Sequence, residues 1–226
     1  MTIPAAAGRI SVMPSPPHPN DLSEDLLGWA MARSPWPDIL DALVRLSRAR
    51  FGWFTRHLPR AFEYPWILAQ FPFRWGKRVL DIGAGVSPLP LQLAATGARV
   101  LTVDSSPLVR QPGRDQQQWN EWGYLDYAAL DPRIESHNCD VLQLDLPAGS
   151  LDAIYSVSVI EHMPAAIRRG ILRAAAEWLK PGGLLLLTVD LVPGQSQLWN
   201  LSEGQVVEPA ERHGDLAAME GELGEA

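Results

Sequence analysis

The sequence predicts an α/β fold in which a doubly wound, mostly parallel sheet carries helices on both faces. Beyond Arg78 the chain alternates helical segments with short apolar runs, namely "RVLDIG", "ARVLTVD", "LDAIYSVSV" and "GLLLLTVD". Near-continuous apolar runs are typical of strands that are buried on both faces of a parallel sheet. Each run is bounded by Gly, Asp or Pro, residues that interrupt regular structure and therefore delimit a strand.

Four segments follow from composition. Residues 1–20 are rich in Pro, Ala and Ser and lack apolar periodicity, which predicts a disordered tail. Residues 21–75 hold 11 of the 18 aromatic residues and form a predicted helical cap, either a layer packed on the sheet or a lid over a substrate. Residues 76–191 form the α/β domain. Residues 192–226 form a predicted acidic, partly disordered tail, with seven acids and one arginine after position 202.

Bulk properties favour small-molecule partners. A chain of 226 residues with 46% hydrophobic content can bury one substantial core. The formal net charge of −7 is concentrated in the tail, and a body without a basic surface argues against a nucleic-acid partner. Cys139 is the only cysteine, so no intrachain disulfide is possible, no metal site is predicted, and a reducing cytoplasm is the expected location. No apolar run suits a signal peptide or a membrane partner.

The stretch "VLDIGAGVSPLP" marks the first strand and the turn after it. In parallel α/β sheets the first strand-to-helix turn lets backbone approach a ligand closely, and Gly83 and Gly85 carry no side chain that would prevent this. A dinucleotide-binding fingerprint requires Gly or Ala at position 88, and Pro88 argues against a nicotinamide-dependent oxidoreductase. No Gly-Lys-Ser/Thr follows, so a phosphate-binding P-loop is also excluded.

Two further carboxylates are spaced for a nucleoside. Asp104 ends the second apolar run, where a charged acceptor can bind the 2′- and 3′-hydroxyls of a ribose. Asp140 follows a third predicted strand, Arg133–His137, and is placed to accept a hydrogen bond from an exocyclic adenine amine. The intervening stretch, residues 106–130, is expected to hold a helix, although Pro112-Gly113 interrupts it.

Taken together, these motifs resemble those of the class I S-adenosylmethionine-dependent methyltransferases, over about Lys77 to Leu191. The resemblance implies a Rossmann-like sheet, with "LDAIYSVSVIEHMP" as the fourth-strand motif and "LKPGGLLLLTV" as the turn and fifth strand. Ser87 is a departure, because the family often has a third glycine there. The cofactor-binding residues that the resemblance implies are Asp81, Gly83, Ala84, Gly85, Asp104, Ser105, Asp140, Val141 and Ser156.

The resemblance further implies S-adenosyl-L-methionine as cofactor and methyl transfer to a small-molecule acceptor by in-line displacement. Placement of the reacting atoms supplies most of such a rate enhancement, so a catalytic base is not indispensable. The candidates are Glu161 and His162, the latter because an unperturbed imidazole suits the task of a general base. The alternatives are a packed His162 and a Glu161 that stabilises the helix beginning at Pro164. The two side chains do not share a face.

The sequence departs from the family's strand pattern at the C-terminal end of the sheet. The family sheet ends in a strand hairpin, but the only strand-like patch after Asp190 is Val206-Val207, so the hairpin is predicted to be missing or degenerate. An open sheet edge can pair with another chain, so a second copy of the protein in a homo-oligomer is one candidate to cover this edge. The aromatic N-terminal segment and "LVPGQSQLWNL" are the others. The alternative function is a truncated, non-catalytic methyltransferase-like domain that binds cofactor or a partner protein.

Overall fold

The computed structural model describes residues 18–71, 75–191, 198–200, 205–208 and 215–225. Residues 1–17 of the predicted tail at residues 1–20 lie outside this set, as does most of the predicted tail between residues 192 and 214. The described α-helices are α1 (Glu24–Met31), α2 (Pro37–Phe51), α3 (Arg60–Gln70), α4 (Leu89–Ala95), α5 (Ala165–Trp178) and α6 (Leu216–Glu225). The described strands are β1 (Arg78–Ile82), β2 (Arg99–Val103), β3 (Val109–Arg110), β4 (Tyr124–Leu125), β5 (Ile134–His137), β6 (Leu151–Val157), β7 (Leu179–Thr188), β8 (Leu198–Asn200) and β9 (Gln205–Glu208).

Five strands form one parallel sheet in the order β5-β2-β1-β6-β7. The predicted α/β class and parallel sheet are therefore confirmed. The chain runs outward from β1 to β2 and β5, and then crosses back to β6 and β7. The order of the strands reverses beside β1, and ligands of such sheets bind at this switch point, outside the carboxyl ends of the strands.

The strands bury both faces, as their apolar runs predict. Successive residues of a strand point to opposite sides of the sheet. Val79 of β1 belongs to a core cluster shared with Leu40 and Leu43 of the N-terminal cap, whereas Leu80 belongs to a second cluster shared with Ile171 of α5. The cap and the sheet thus share a core, and α5 covers the opposite face.

The stretch between β2 and β5 differs from its prediction. Residues 106–130 contain no α-helix, and two short strands, β3 and β4, pair with each other in parallel. Three-residue helical turns at Gln116–Gln118 and Tyr127–Ala129 account for its other regular structure. Pro112-Gly113 provides the physical reason, because proline lacks the amide donor that a helix interior requires and Gly113 has a φ of +79°.

The C-terminal segment contains more regular structure than its acidic composition indicates. Strands β8 and β9 pair antiparallel in a two-stranded sheet, and within the described residues neither strand pairs with the five-stranded sheet. Helix α6 packs on α5, and its Met219 lies in a cluster with Ile160 and Leu191 beyond the end of β7. The prediction of a partly disordered tail does not anticipate this helix. No described helix has both the length and the apolar character to cross a membrane.

Candidate functional site

A cavity of about 500 Å³ opens at the carboxyl ends of the central strands. Its volume lies within the range of roughly 300–1,000 Å³ that is common for small-molecule sites. Its walls come from the turn after β1, the ends of β2, β5 and β6, helix α3 and the loop before β4. Of the predicted site residues, the cavity is lined by Asp81, Gly83, Ala84, Gly85, Asp104, Ser105, Asp140, Val141 and His162.

The turn after β1 requires its two glycines. Gly83 and Gly85 adopt left-handed backbone conformations, with φ of +71° and +50°. A Cβ atom on Gly85 would lie 2.3 Å from the backbone oxygen of Glu121, and one on Gly83 would lie 2.5 Å from Cγ1 of Val159. Both strain and space therefore select glycine, and the turn presents bare backbone to the cavity.

Asp104 lies at the end of β2 and holds the turn from the cavity side. Its Oδ2 accepts the amide hydrogen of Gly85 at 2.9 Å, and its Oδ1 accepts that of Ser106 at 2.8 Å. An ionised carboxylate offers about four lone-pair positions, so two remain for hydroxyl groups of a ligand. The neighbouring Ser105 is exposed and also lines the cavity.

Asp81, the acid of the predicted motif, is buried at the floor of the cavity. The Tyr155 hydroxyl donates to its Oδ2 at 2.8 Å. Burial raises the pKa of the Asp81 carboxyl to about 8, and the charge of Asp104 adds to this rise while the Tyr155 hydrogen bond opposes it. A cation placed beside Asp81 would favour the ionised carboxylate and would therefore release its proton.

Asp140 and Val141 form the wall below β5. The Asp140 carboxylate accepts the amide hydrogen of Leu142 at 2.9 Å, and the side chain is exposed toward the cavity mouth. Val141 is buried, which provides an apolar surface beside the carboxylate. A flat heterocycle with an exocyclic amine suits this combination. His137 and Cys139 share this region, but the described residues contain no group of three or more side chains arranged to hold a metal ion.

Two predicted site residues do not line the cavity. Ser156 is fully buried, and its hydroxyl donates to the Ile82 carbonyl at 2.9 Å, so it braces β6 against β1. Glu161 is fully buried as well, and its Oε1 accepts the amide hydrogen of Asp190 at 2.9 Å. Burial raises the pKa of the Glu161 carboxyl to about 8, which keeps it largely protonated at neutral pH. We therefore retain neither residue for ligand binding or proton transfer.

His162 follows Glu161 in the same helical turn but faces the cavity. Its side chain is exposed, whereas that of Glu161 points into the protein. This agrees with the expectation that the two side chains do not share a face.

Helix α3 contributes residues that sequence reasoning did not place in the site. The Arg60 guanidinium donates to the Ser158 hydroxyl at 2.7 Å and pairs with the Glu63 carboxylate. Ser158 donates in turn to Glu63 at 2.9 Å, in a left-handed conformation with φ of +49°. Arg60, Ser158 and Tyr64 line the cavity. The signal in the sequence was "RAFEYP", which can also be explained as ordinary helix packing.

The loop before β4 forms a further wall of the cavity through residues 121–123. The Glu121 backbone oxygen accepts the amide hydrogen of Val86 at 2.9 Å, and its carboxylate is held by the Thr55 hydroxyl and by His57. Trp122 is 55% exposed, and its ring lies 6.0 Å from that of His57. The N-terminal cap thereby contacts the site through residues 55–57, which no motif in the sequence indicates.

The sequence is similar to those of known methyltransferases. The family model described as "Methyltransferase domain" matches residues 80–187. Ubiquinone biosynthesis O-methyltransferase of Xanthomonas campestris pv. campestris (strain B100) is 34% identical over 113 residues, which are 50% of this chain and 43% of that protein. The 27-O-demethylrifamycin SV methyltransferase of Amycolatopsis mediterranei (strain S699) is 31% identical over 54% of this chain and 41% of its own length. The chain thus spans less than half the length of these curated relatives.

A solved structure supports the same fold. Phosphoethanolamine N-methyltransferase 2 of Haemonchus contortus, in complex with phosphomonomethylethanolamine and S-adenosylhomocysteine, superposes with a TM-score of 0.52 at 22% identity. The superposition covers 80% of this chain and 40% of that one. The predicted motifs, the strand order, the glycine turn and the matched family model agree with one another. Residues 80–187, just under half of the chain, are thus similar to the methyltransferase domain that this family model describes.

Proposed function

We propose that the protein binds S-adenosyl-L-methionine in this cavity and transfers its methyl group to a small-molecule acceptor. One observation carries the proposal: the bare turn at Gly85 is joined at 2.9 Å to Asp104, a carboxylate with lone pairs to spare for a ribose. Asp81, Asp104, Glu121 and Asp140 all line the cavity. Such a concentration of carboxylates suits a ligand that carries a sulfonium and an ammonium group.

The residues of the chain have separate parts in this proposal. The cofactor supplies an activated methyl group on a sulfonium. Gly83 and Gly85 let the backbone approach its amino-acid end, Asp104 accepts hydrogen bonds from its ribose, and Asp140 with Val141 holds its base. The Haemonchus protein, which has a similar fold and was solved in complex with S-adenosylhomocysteine, supports the choice of this cofactor.

We assign the acceptor to the part of the cavity formed by α3 and the end of β6. Arg60, Ser158, His162 and Met163 line this part, which offers both polar donors and apolar surface. A site from which water is excluded favours displacement at a charged sulfur. His162 is the candidate to remove a proton from the acceptor, because its imidazole lines the cavity and imidazole is the side-chain group most often used as a general base. Two curated relatives whose names indicate small molecules support this acceptor class.

The second candidate function is cofactor binding without methyl transfer. The short β8–β9 pair favours it, because these strands do not join the five-stranded sheet beside the cavity. Both candidate functions require the cofactor, and they differ in whether an acceptor is consumed.

Calorimetric titration with S-adenosylmethionine and S-adenosylhomocysteine tests the shared step. We expect micromolar binding of both, at least a tenfold loss of affinity in Asp104→Ala, and no change in the control Asp145→Ala, an exposed acid away from the cavity. Unchanged affinity in Asp104→Ala would remove Asp104 from the site. Formation of S-adenosylhomocysteine in a screen of phenols, alcohols and amines then distinguishes the two functions. His162→Ala should slow that reaction by about a hundredfold if His162 is the base.

A further inference from the structure

A phenol oxygen that lies outside the cavity organises the turn at its centre. Tyr127 is fully buried in the helical turn Tyr127–Ala129, and its hydroxyl accepts the amide hydrogen of Ser87 at 2.7 Å. The same hydroxyl lies 3.1 Å from the carbonyl oxygens of both Gly85 and Ser87, to either of which it can donate. Three backbone groups of the turn thus converge on a side chain that starts 40 residues further along the chain.

The turn has a particular need for this support. Ser87 occupies the position at which the resemblance led us to expect a third glycine, and its amide group is buried. The residue at the N-cap position of the short helix α4 is Pro88, which makes no side-chain hydrogen bond to the helix. A buried amide hydrogen without a partner is costly, so a specific acceptor for the Ser87 amide stabilises this conformation of the turn.

Tyr127 and Asp104 hold the same peptide segment from opposite sides. Asp104 accepts the amide hydrogen of Gly85 from within the cavity, while Tyr127 contacts the carbonyl oxygen of the same residue from the core. The phenol itself does not line the cavity, whereas Gly85 and Asp104 do. A change in the Gly85 backbone therefore alters both the surface of the turn and the position of the Asp104 carboxylate.

We propose that Tyr127 is a positioning residue for the cofactor site, which fixes the turn at residues 85–87 in the conformation that admits the ligand. This inference rests on the function proposed above. Burial raises the pKa of the Tyr127 phenol, so the hydroxyl remains protonated and can donate as well as accept. It acts through Gly85 and Asp104 and makes no contact with the ligand.

Tyr127→Phe tests the proposal, because it removes one oxygen and leaves the ring. The matched control is Tyr124→Phe, which removes a phenol oxygen from the neighbouring half-buried β4 and costs no hydrogen bond seen in the described part of the chain. Titration with S-adenosylhomocysteine should show affinity reduced at least tenfold in Tyr127→Phe and unchanged within about twofold in Tyr124→Phe. Urea unfolding of each variant gives the folded fraction, so that a loss of stability is not mistaken for a loss of affinity.

Amide hydrogen exchange provides a readout that does not depend on the ligand. In Tyr127→Phe the amides of residues 83–87 should exchange at least tenfold faster, while those of β1 and β2 keep their wild-type rates. If this variant does not fold, amide exchange in the wild-type protein still tests the proposal. A Ser87 amide held by Tyr127 should exchange no more than about tenfold faster than the amide of Leu80 in the sheet.

The outcomes separate the two proposals. Wild-type affinity in a folded Tyr127→Phe variant would overturn the positioning role, even if its stability were lower, because the phenol would then contribute only to packing. Rapid exchange of the Ser87 amide in the wild type would overturn it independently. Failure of the wild-type protein to bind S-adenosylhomocysteine would instead refute the proposed function, and the exchange comparison would still determine whether Tyr127 holds the turn.

Discussion

The C-terminal helix α6 is held to the protein by a buried ion pair whose removal should be costly. Arg168 on α5 is fully buried, and the side chain of Glu222 on α6 is 7% exposed. Two hydrogen bonds join them, Nε to Oε2 at 2.8 Å and Nη2 to Oε1 at 2.7 Å. Nη1 of Arg168 also donates to the Met163 carbonyl at 2.7 Å. Because Met163 lines the cavity, the pair connects the end of the chain to the wall of the site.

The expected magnitude follows from the burial. Removing one partner of a buried ion pair leaves an uncompensated charge, which typically costs about 3–5 kcal/mol. We expect Glu222→Ala to lose stability of this order, since the bare Arg168 guanidinium has lost two of its three acceptors. Glu222→Gln retains a carbonyl acceptor, so its cost should be smaller, about 1–3 kcal/mol. Either value is a large part of the roughly 5–15 kcal/mol that stabilises a typical domain.

Urea unfolding and amide exchange measure this effect together. The matched control is Glu220→Ala, which removes an exposed carboxylate from the same helix. If the loss appears as local undocking, the amides of α6 and of residues 160–163 should exchange faster before the sheet unfolds. The reasoning fails if Glu222→Ala and Glu220→Ala agree within about 0.5 kcal/mol, the usual size of a surface effect, and show the same exchange.

Two further predictions concern the turn and the buried carboxyl after β6. Gly85→Ala should lower stability and S-adenosylhomocysteine affinity more than Gly83→Ala does. The new Cβ at position 85 would lie 2.3 Å from a backbone oxygen, whereas that at position 83 would meet a Val159 methyl group, which can move. Equal losses of the two variants in urea unfolding and in titration would contradict this prediction. Glu161 keeps its proton to about pH 8 when folded and releases it near its ordinary pKa of 4.5 when unfolded, so wild-type stability should fall between these values. The stability gained by Glu161→Gln should therefore grow with pH over that window, and a difference in unfolding free energy that did not vary with pH would show that Glu161 does not titrate in this way.

The sheet could be predicted because its signals are local. Each central strand is an apolar run of strand length, and the Gly and Asp residues that follow β1 and β2 directly mark where these strands end. The direction in which an individual side chain points is harder to predict from the sequence. Ser156 lies in a strand whose residues are buried on both sides, so its apolar neighbours do not reveal which way its hydroxyl points. The average composition of the acidic tail likewise does not reveal that Met219 and Glu222 of α6 are buried.

The irregular stretch between β2 and β5 shows why the specific features of the site escaped prediction. Glu121 and Tyr127 have no periodicity around them, and their partners are backbone groups of a turn some 35 to 40 residues earlier. A pair of glycines two residues apart occurs in many proteins, so the pattern alone constrains a ligand weakly. In the folded chain, one glycine of the pair is held by Asp104 through its amide, by Tyr127 through its carbonyl and by Glu121 through close contact. Three remote segments converge on this peptide, and their convergence, more than the motif, fixes the shape that the turn presents to the cavity.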